Sequence, residues 1–161
     1  MKKILFVCTG NTCRSSMAEG LFNFAIKNSE KGLEGYKGIS AGVSAFEGYG
    51  ANPKAIEVLK EGYGIDIKTH KSRRLTKGDI AEAFLILTMT YDHKNAIIKM
   101  FPEALEKVWV LKEFVFGGKR GESSTCMNIP DPYGMSAETY RYCAGILKQA
   151  IDELMSKLEP L

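Results

Sequence analysis

An open, three-layer α/β fold is predicted, with four parallel strands, helices on both faces and a phosphate-binding loop after the first strand. Three observations carry that expectation. Short apolar runs alternate with longer stretches of helical period along the 161 residues, and such alternation builds a parallel sheet with right-handed crossovers. A glycine-containing loop follows the first apolar run, at the carboxyl end of a strand, where sheets of this kind bind ligands. No repeat, linker or low-complexity tract interrupts the chain, so one domain over 1–161 is expected.

The elements follow in order. Residues 3–7 form a short apolar run, which reads as a buried parallel strand. Residues 15–28 follow as a helix, with Met17, Leu21 and Phe24 at i, i+4 and i+7 defining its buried face. A second strand is expected over 36–41, ended by Gly42. Asn52 and Pro53 supply a cap and a first-turn proline for a helix that runs to Glu61 and stops at Gly62. Residues 65–77 are polar and basic, hence a loop, with a short helix starting near Thr76. The third strand is placed at 83–87, a helix at 91–100 closed off by Pro102, and the fourth strand at 107–111. Gly, Ser and Pro crowd residues 116–136, so a long surface loop is expected there, and loops of that length are functional or disordered. The last helix, 137–157, carries Tyr140, Ala144, Leu147, Ile151, Leu154 and Leu158 in steps of four and three, a stripe that reads as core packing.

Composition narrows the function classes. The chain is 45% hydrophobic and 25% charged, which is ordinary for a soluble globular protein. A net charge of +3 is too slight to imply nucleic-acid binding, and the basic run His70-Lys71-Ser72-Arg73-Arg74 reads as a solvated loop. The apolar run after Lys3 spans four residues before Thr9-Gly10-Asn11, short of the roughly 7–15 of a secretory signal. No window approaches the ~18 apolar residues of a membrane span. Cysteines at 8, 13, 126 and 143 match neither a disulfide framework nor zinc knuckles. A cytoplasmic monomer without metal or cofactor is expected, binding neither nucleic acid nor membrane.

The chemistry concentrates in Cys8-Thr9-Gly10-Asn11-Thr12-Cys13-Arg14-Ser15. A loop running from a strand end into a helix start can turn several amides inward as an anion nest, reinforced by the helix dipole. Gly10 is expected to supply backbone freedom, and Asn11 tolerates a left-handed conformation. A cysteine at the nest should have a pKa below the free value of about 8.5 and be nucleophilic at neutral pH. Arg14 offers a permanently charged planar fork for two phosphoryl oxygens. Ser15 can donate to the thiolate, making sulfur a better leaving group. A cysteine after a strand can also be merely a small buried hydrophobe, but that does not account for Gly, Asn, Arg and Ser at these offsets. The Gly-Lys-Ser/Thr ending of an ATP-binding loop is absent.

Cys, five residues, Arg, Ser after an N-terminal strand resembles the low-molecular-weight protein tyrosine phosphatase family. The resemblance extends through Ser40-Ala41-Gly42, Leu87-Thr88-Met89-Thr90 and Asp131-Pro132-Tyr133-Gly134. It implies Cys8 as the attacking thiolate, Arg14 on the transition state and Asp131 as the general acid. Pro132 holds Asp131 extended, and proton delivery to a leaving atom is worth typically ~10²–10⁴-fold; a solvent-exposed turn aspartate is the plain alternative. The resemblance also implies an Asn11, Ser15, Ser40 and His70 network behind the loop and a reversible Cys8–Cys13 disulfide, against which Cys13 can be just a small core residue. His93 reads as structural or solvated, and Cys126 and Cys143 as bystanders.

Phosphorylated proteins are the implied substrates. Thr12 stands where phosphotyrosine-directed members carry Ile or Leu, and the loop resembles that of the bacterial protein arginine phosphatase branch. Phosphoarginine is therefore favoured, with phosphotyrosine as the alternative, since Phe46, Tyr49 and Tyr133 can form an aromatic slot or stack on a guanidinium. A thiol-dependent arsenate reductase needs two more cysteines close together, and a phosphocarrier needs no Asp131.

Overall fold

The computed structural model describes residues 1–117 and 127–161. Its frame is one four-stranded sheet in the order β2-β1-β3-β4, every neighbouring pair parallel. The strands are β1 (Lys2–Cys8), β2 (Tyr36–Gly42), β3 (Ala83–Thr88) and β4 (Val108–Val110). The helices are α1 (Arg14–Lys27), α2 (Pro53–Tyr63), α3 (Lys77–Glu82), α4 (Tyr91–Met100), α5 (Leu111–Phe116) and α6 (Ala137–Lys157). The four parallel strands with helices on both faces agree with the expected architecture.

β1 runs through the middle and is apolar on both faces. Ile4, Phe6 and Cys8 face a core built with α1, α2, α5 and α6. Leu5 and Val7 face the other core, with Ile80 of α3 and Ile97 of α4. Burial on both sides explains why the strand reads as an unbroken apolar run rather than an alternating one. Its last residue, Cys8, pairs with Gly42 at the carboxyl edge of the sheet.

The α6 stripe is buried along its length, from Tyr140 to Leu158. Four helices carry the side-chain caps their sequences offer: Asn52 caps α2, Thr90 caps α4, Ser136 caps α6, and Thr76 with Asp79 forms a reciprocal capping box on α3.

Several expectations need correction. Phe24 is 44% exposed, and the buried face of α1 runs Met17, Ala18, Leu21, Phe22 instead; the 3.6-residue period places Phe22, not Phe24, over Ala18. α2 continues past Gly62 to Tyr63 and ends at Gly64, whose left-handed φ of 68° closes the helix. The fourth strand stops at Val110, because Leu111 and Val115 bury one face of the short helix α5. Residues 118–126 of the expected 116–136 loop, with Cys126, lie outside the described residues. No described helix is long and apolar enough to cross a membrane.

Candidate active site

Residues 9–13 link the end of β1 to the start of α1, and this loop is built around Asn11. Asn11 is the one described non-glycine residue at positive φ, 58°. Gly10 is not left-handed, and a Cβ there would meet only Thr12 Oγ1 at 3.8 Å. The left-handed step thus belongs to Asn11, contrary to the role expected of Gly10. The glycine that the loop does require is Gly42 on the adjoining strand. A Cβ at Gly42 would overlap the Thr9 carbonyl oxygen, stand 2.8 Å from Ala45 Cβ and 3.0 Å from the Asn11 amide nitrogen.

Every polar atom of Asn11 is used. Its amide N–H donates to Cys8 Sγ at 3.3 Å and its carbonyl accepts from His70 Nε2 at 2.7 Å. Oδ1 accepts from the Arg73 amide at 3.0 Å, which turns Nδ2 to donate to Ser15 Oγ at 2.9 Å. Ser15 Oγ lies 2.9 Å from Cys8 Sγ. With a lone pair taken by Asn11, the serine keeps its proton for sulfur. His70 Nδ1 sits 3.6 Å from Glu19 Oε2. Burial alone would lower the imidazole pKa, but the Glu19 carboxylate and the bond to Asn11 outweigh it and raise it above the ordinary value.

Ser40 does not join this network. Its side chain is buried beside the loop, yet its hydroxyl has no hydrogen-bond partner. The 70–74 run is no solvated loop either. Ser72 binds both sides of the 46–49 turn, and Arg73 forms a two-pronged ion pair with Asp79 at 3.0 and 2.8 Å. Gly42 N–H donates to the Arg73 carbonyl, so the segment straps the loop to the sheet edge.

Arg14 opens α1 and is only 6% exposed. Its Nη1 donates to the Ile129 carbonyl at 3.1 Å and its Nη2 stands 3.5 Å from Asp131 Oδ2. The 128–131 segment is itself anchored: Ile129 N–H donates to the Met89 carbonyl at 2.8 Å, and Asn128 Oδ1 accepts from the Tyr91 amide at 2.9 Å. Asp131 Oδ1 accepts from the Tyr133 amide at 3.1 Å, while the carboxyl remains 55% exposed. These contacts bring a residue 117 positions from Arg14 to the mouth of the same cleft.

Cys13 caps α1 without a side-chain bond to its amides, and its Sγ lies 3.2 Å from Tyr140 Oη. Burial pushes its thiol up, with the Tyr140 hydrogen bond pulling the other way. Cys143 lies behind, 3.6 Å from the Pro130 carbonyl, and burial pushes it up to about 12. Cys8, Cys13 and Cys143 are free thiols.

A cleft of about 460 Å³ opens over the loop, lined by Cys8, Thr9, Gly10, Thr12, Cys13 and Arg14 below and by Asp131 with Phe46, Tyr49 and Tyr133 at the rim. Phe46 and Tyr49 meet edge to face with ring centres 6.2 Å apart. A thiol, a cation fork and an exposed carboxyl thus share one concave site.

Residues 3–160 match the model of the family described as low molecular weight phosphotyrosine protein phosphatase. The chain belongs to that family. Membership makes this low-molecular-weight phosphatase a cysteine-dependent protein phosphatase. It is 44% identical to the protein-arginine-phosphatase of Geobacillus stearothermophilus over 98% of this chain and 96% of that one. It is 36% identical to the protein-arginine-phosphatase of Bacillus subtilis over 97% and 96%. A low molecular weight protein tyrosine phosphatase from T. tengcongensis superposes with a TM-score of 0.85 at 42% identity, covering 98% of this chain and all of that one. At the same TM-score and 36% identity, an arginine phosphatase mutant with a phosphorylated active-site serine covers 97% and 95%.

The principal site residue that sequence patterns missed in this phosphatase is His93, read there as structural or solvated. It is buried, with Nε2 2.9 Å from Thr9 Oγ1 and Nδ1 3.1 Å from Thr90 Oγ1. Burial, then the Arg14 charge, push it down to about 4. Glu19, Arg73 and Tyr140 were likewise invisible, because each acts across the fold on a loop residue. Only the alignment of His93 and Thr90 at i and i−3, a helix-cap spacing, hinted at an ordered ring.

Proposed function

We propose that this phosphatase hydrolyses phosphoarginine in proteins, with Cys8 as nucleophile, Arg14 as phosphoryl clamp and Asp131 as acid and then base. The observation that carries the substrate choice is Thr12, which lines the same cleft as Asp131. Threonine brings a hydroxyl to the cleft lining, better matched to a polar guanidinium than an aliphatic side chain, and the Asp131 carboxyl can accept from that group. The two relatives named protein-arginine-phosphatase support the same substrate.

In the reaction, the Cys8 sulfur attacks phosphorus as the P–N bond to the guanidinium breaks, and the Asp131 carboxyl delivers a proton to the departing nitrogen. Arg14 and the inward amides of the loop hold the equatorial oxygens while charge develops on them. Ile129 keeps the fork in plane by accepting from Nη1. In the second half, Asp131 takes a proton from water, the water oxygen attacks phosphorus, and the S–P bond breaks. Ser15 and the Asn11 amide donate to the leaving sulfur.

Phosphotyrosine is the second reading, favoured by the aromatic Phe46, Tyr49 and Tyr133 rim, against which a phenol ring could pack. Peptides carrying each modification, assayed on wild type and Thr12→Ile, separate the two. Thr12→Ile replaces the hydroxyl by an ethyl group, and such a change in a slot of this kind shifts preference by roughly 1–3 kcal/mol. Thr12→Ile should move the ratio of kcat/KM at least tenfold towards phosphotyrosine; an unchanged ratio removes the case for arginine.

Each copy would act alone in the cytoplasm, since all the candidate groups come from one chain and the described cysteines are free thiols. A Cys8–Cys13 disulfide would protect the nucleophile there, both sulfurs lining the same cleft; peptide mapping after peroxide treatment would detect it.

A further inference from the structure

His93 joins the corner between β3 and α4 to the first residue of the loop. Both ring nitrogens are engaged, Nε2 at 2.9 Å from Thr9 Oγ1 and Nδ1 at 3.1 Å from Thr90 Oγ1. Thr90 Oγ1 also accepts the His93 amide N–H at 3.2 Å as the cap of α4. While accepting that N–H, the Thr90 hydroxyl can donate its own proton to Nδ1, an arrangement that places the ring proton on Nε2, pointing at Thr9. Thr9 then accepts from the protein side and keeps its own proton. Thr9 is exposed and lines the cleft together with Cys8 and Arg14.

We propose that His93 is a positioning residue that turns the Thr9 hydroxyl proton towards a phosphoryl oxygen in the cleft, adding a side-chain donor to the amides of the loop. The inference rests on reading the cleft as the phosphoryl site. Burial and the Arg14 charge hold the ring neutral, so that Nδ1 can accept from Thr90 while Nε2 donates to Thr9.

The test uses inorganic phosphate as the probe. Its inhibition constant and the steady-state kinetics are measured for wild type, Thr9→Val, Thr9→Ser, His93→Phe and His93→Gln. A hydrogen bond to a charged group supports about a tenfold effect. Thr9→Val and His93→Phe should each raise the phosphate inhibition constant and KM by about tenfold with a smaller change in kcat. Thr9→Ser and His93→Gln, which keep a donor in place, should return both towards wild type. The double variant Thr9→Val/His93→Phe should bind phosphate no worse than Thr9→Val alone, because one hydroxyl carries both effects.

Nitrogen-15 NMR of the His93 ring gives an independent reading, with the proton expected on Nε2. If His93→Phe fails to fold, the Thr9 pair and the NMR spectrum decide. Wild-type phosphate affinity in Thr9→Val, or a ring proton on Nδ1, overturns the relay. Wild-type protein that still accumulates phosphorylated Cys8 locates such a failure in the relay alone; its absence would instead sink the reading of the site.

Discussion

Asn11 Nδ2 donates to Ser15 Oγ while Asn11 Oδ1 accepts from the Arg73 amide, so the asparagine side chain faces one way only. The Ser15 proton is thereby committed to Cys8 Sγ, 2.9 Å away. A residue 62 positions along the chain therefore orients a hydrogen bond to the Cys8 sulfur. Ser15→Ala should lower kcat by about 10- to 100-fold, the worth of one hydrogen bond to a charged partner. Asn11→Asp should cost more, because its second oxygen would draw the serine proton away from sulfur and place a negative charge beside it. Single-turnover rates with equal substrate binding check the ranking; a milder effect for Asn11→Asp would contradict it.

Asp131 is half-exposed, and its variants test chemistry rather than folding. Asp131→Asn should reduce kcat by ~10²–10⁴-fold on a phosphopeptide, yet shift stability by only about 1 kcal/mol, since the amide oxygen can still face Arg14 and the Tyr133 amide. With a substrate whose leaving group departs as a stable anion, such as para-nitrophenyl phosphate, the loss should shrink. Equal losses on both substrates would argue against proton delivery.

Gly42 has no room for a methyl group, because the loop backbone occupies the space where a Cβ would stand. Gly42→Ala must push Thr9 and Asn11 out of register, at an overpacking cost of about 1–3 kcal/mol. Denaturant midpoints should fall accordingly, with kcat/KM falling as well. Gly10→Ala, which meets nothing closer than 3.8 Å, should leave stability nearly unchanged. The reverse order of the two effects would refute the assignment of the tight contact to Gly42.

The two histidines pull stability in opposite directions with pH. His93 is buried neutral at about 4, whereas an unfolded imidazole titrates near 6.5. Between those values the unfolded chain holds the extra proton, so stability falls as pH falls, by at most about 3 kcal/mol over the full window. His70 is raised, so its contribution is complete below about 6.5 and is lost as pH rises through its folded pKa. Urea titrations at about pH 7 and about pH 5 should show wild type losing stability on acidification and His93→Gln losing less of it. Identical losses would contradict the buried, neutral ring.

Local chemistry was legible in the sequence, and long-range chemistry was not. The Cys8 to Ser15 spacing, the buried β1 run and the α6 stripe each sit within one element, where period and residue type speak directly. Asp131 was found only through its Asp-Pro motif, since nothing local to it points at Arg14. His93 was unreadable because its partner, Thr9, lies 84 positions away and no pattern links them. The strap over 70–74 looked solvated because charge count ignores where Arg73 finds Asp79. Leu111 looked like strand because one more apolar residue after Val110 extends either element, and only Val115, one turn on, settles the choice.

The central claim is that Cys8 carries the phosphoryl group between substrate and water. Rapid acid quench of wild-type protein turning over a phosphoarginine peptide, followed by mass spectrometry of its fragments, tests it most directly. A phosphoryl group should appear on the fragment bearing Cys8 within the first turnover, and persist longer in Asp131→Asn under an activated substrate. Turnover with no phosphorylated Cys8 at any quench time, or with the group on another residue, would contradict the account.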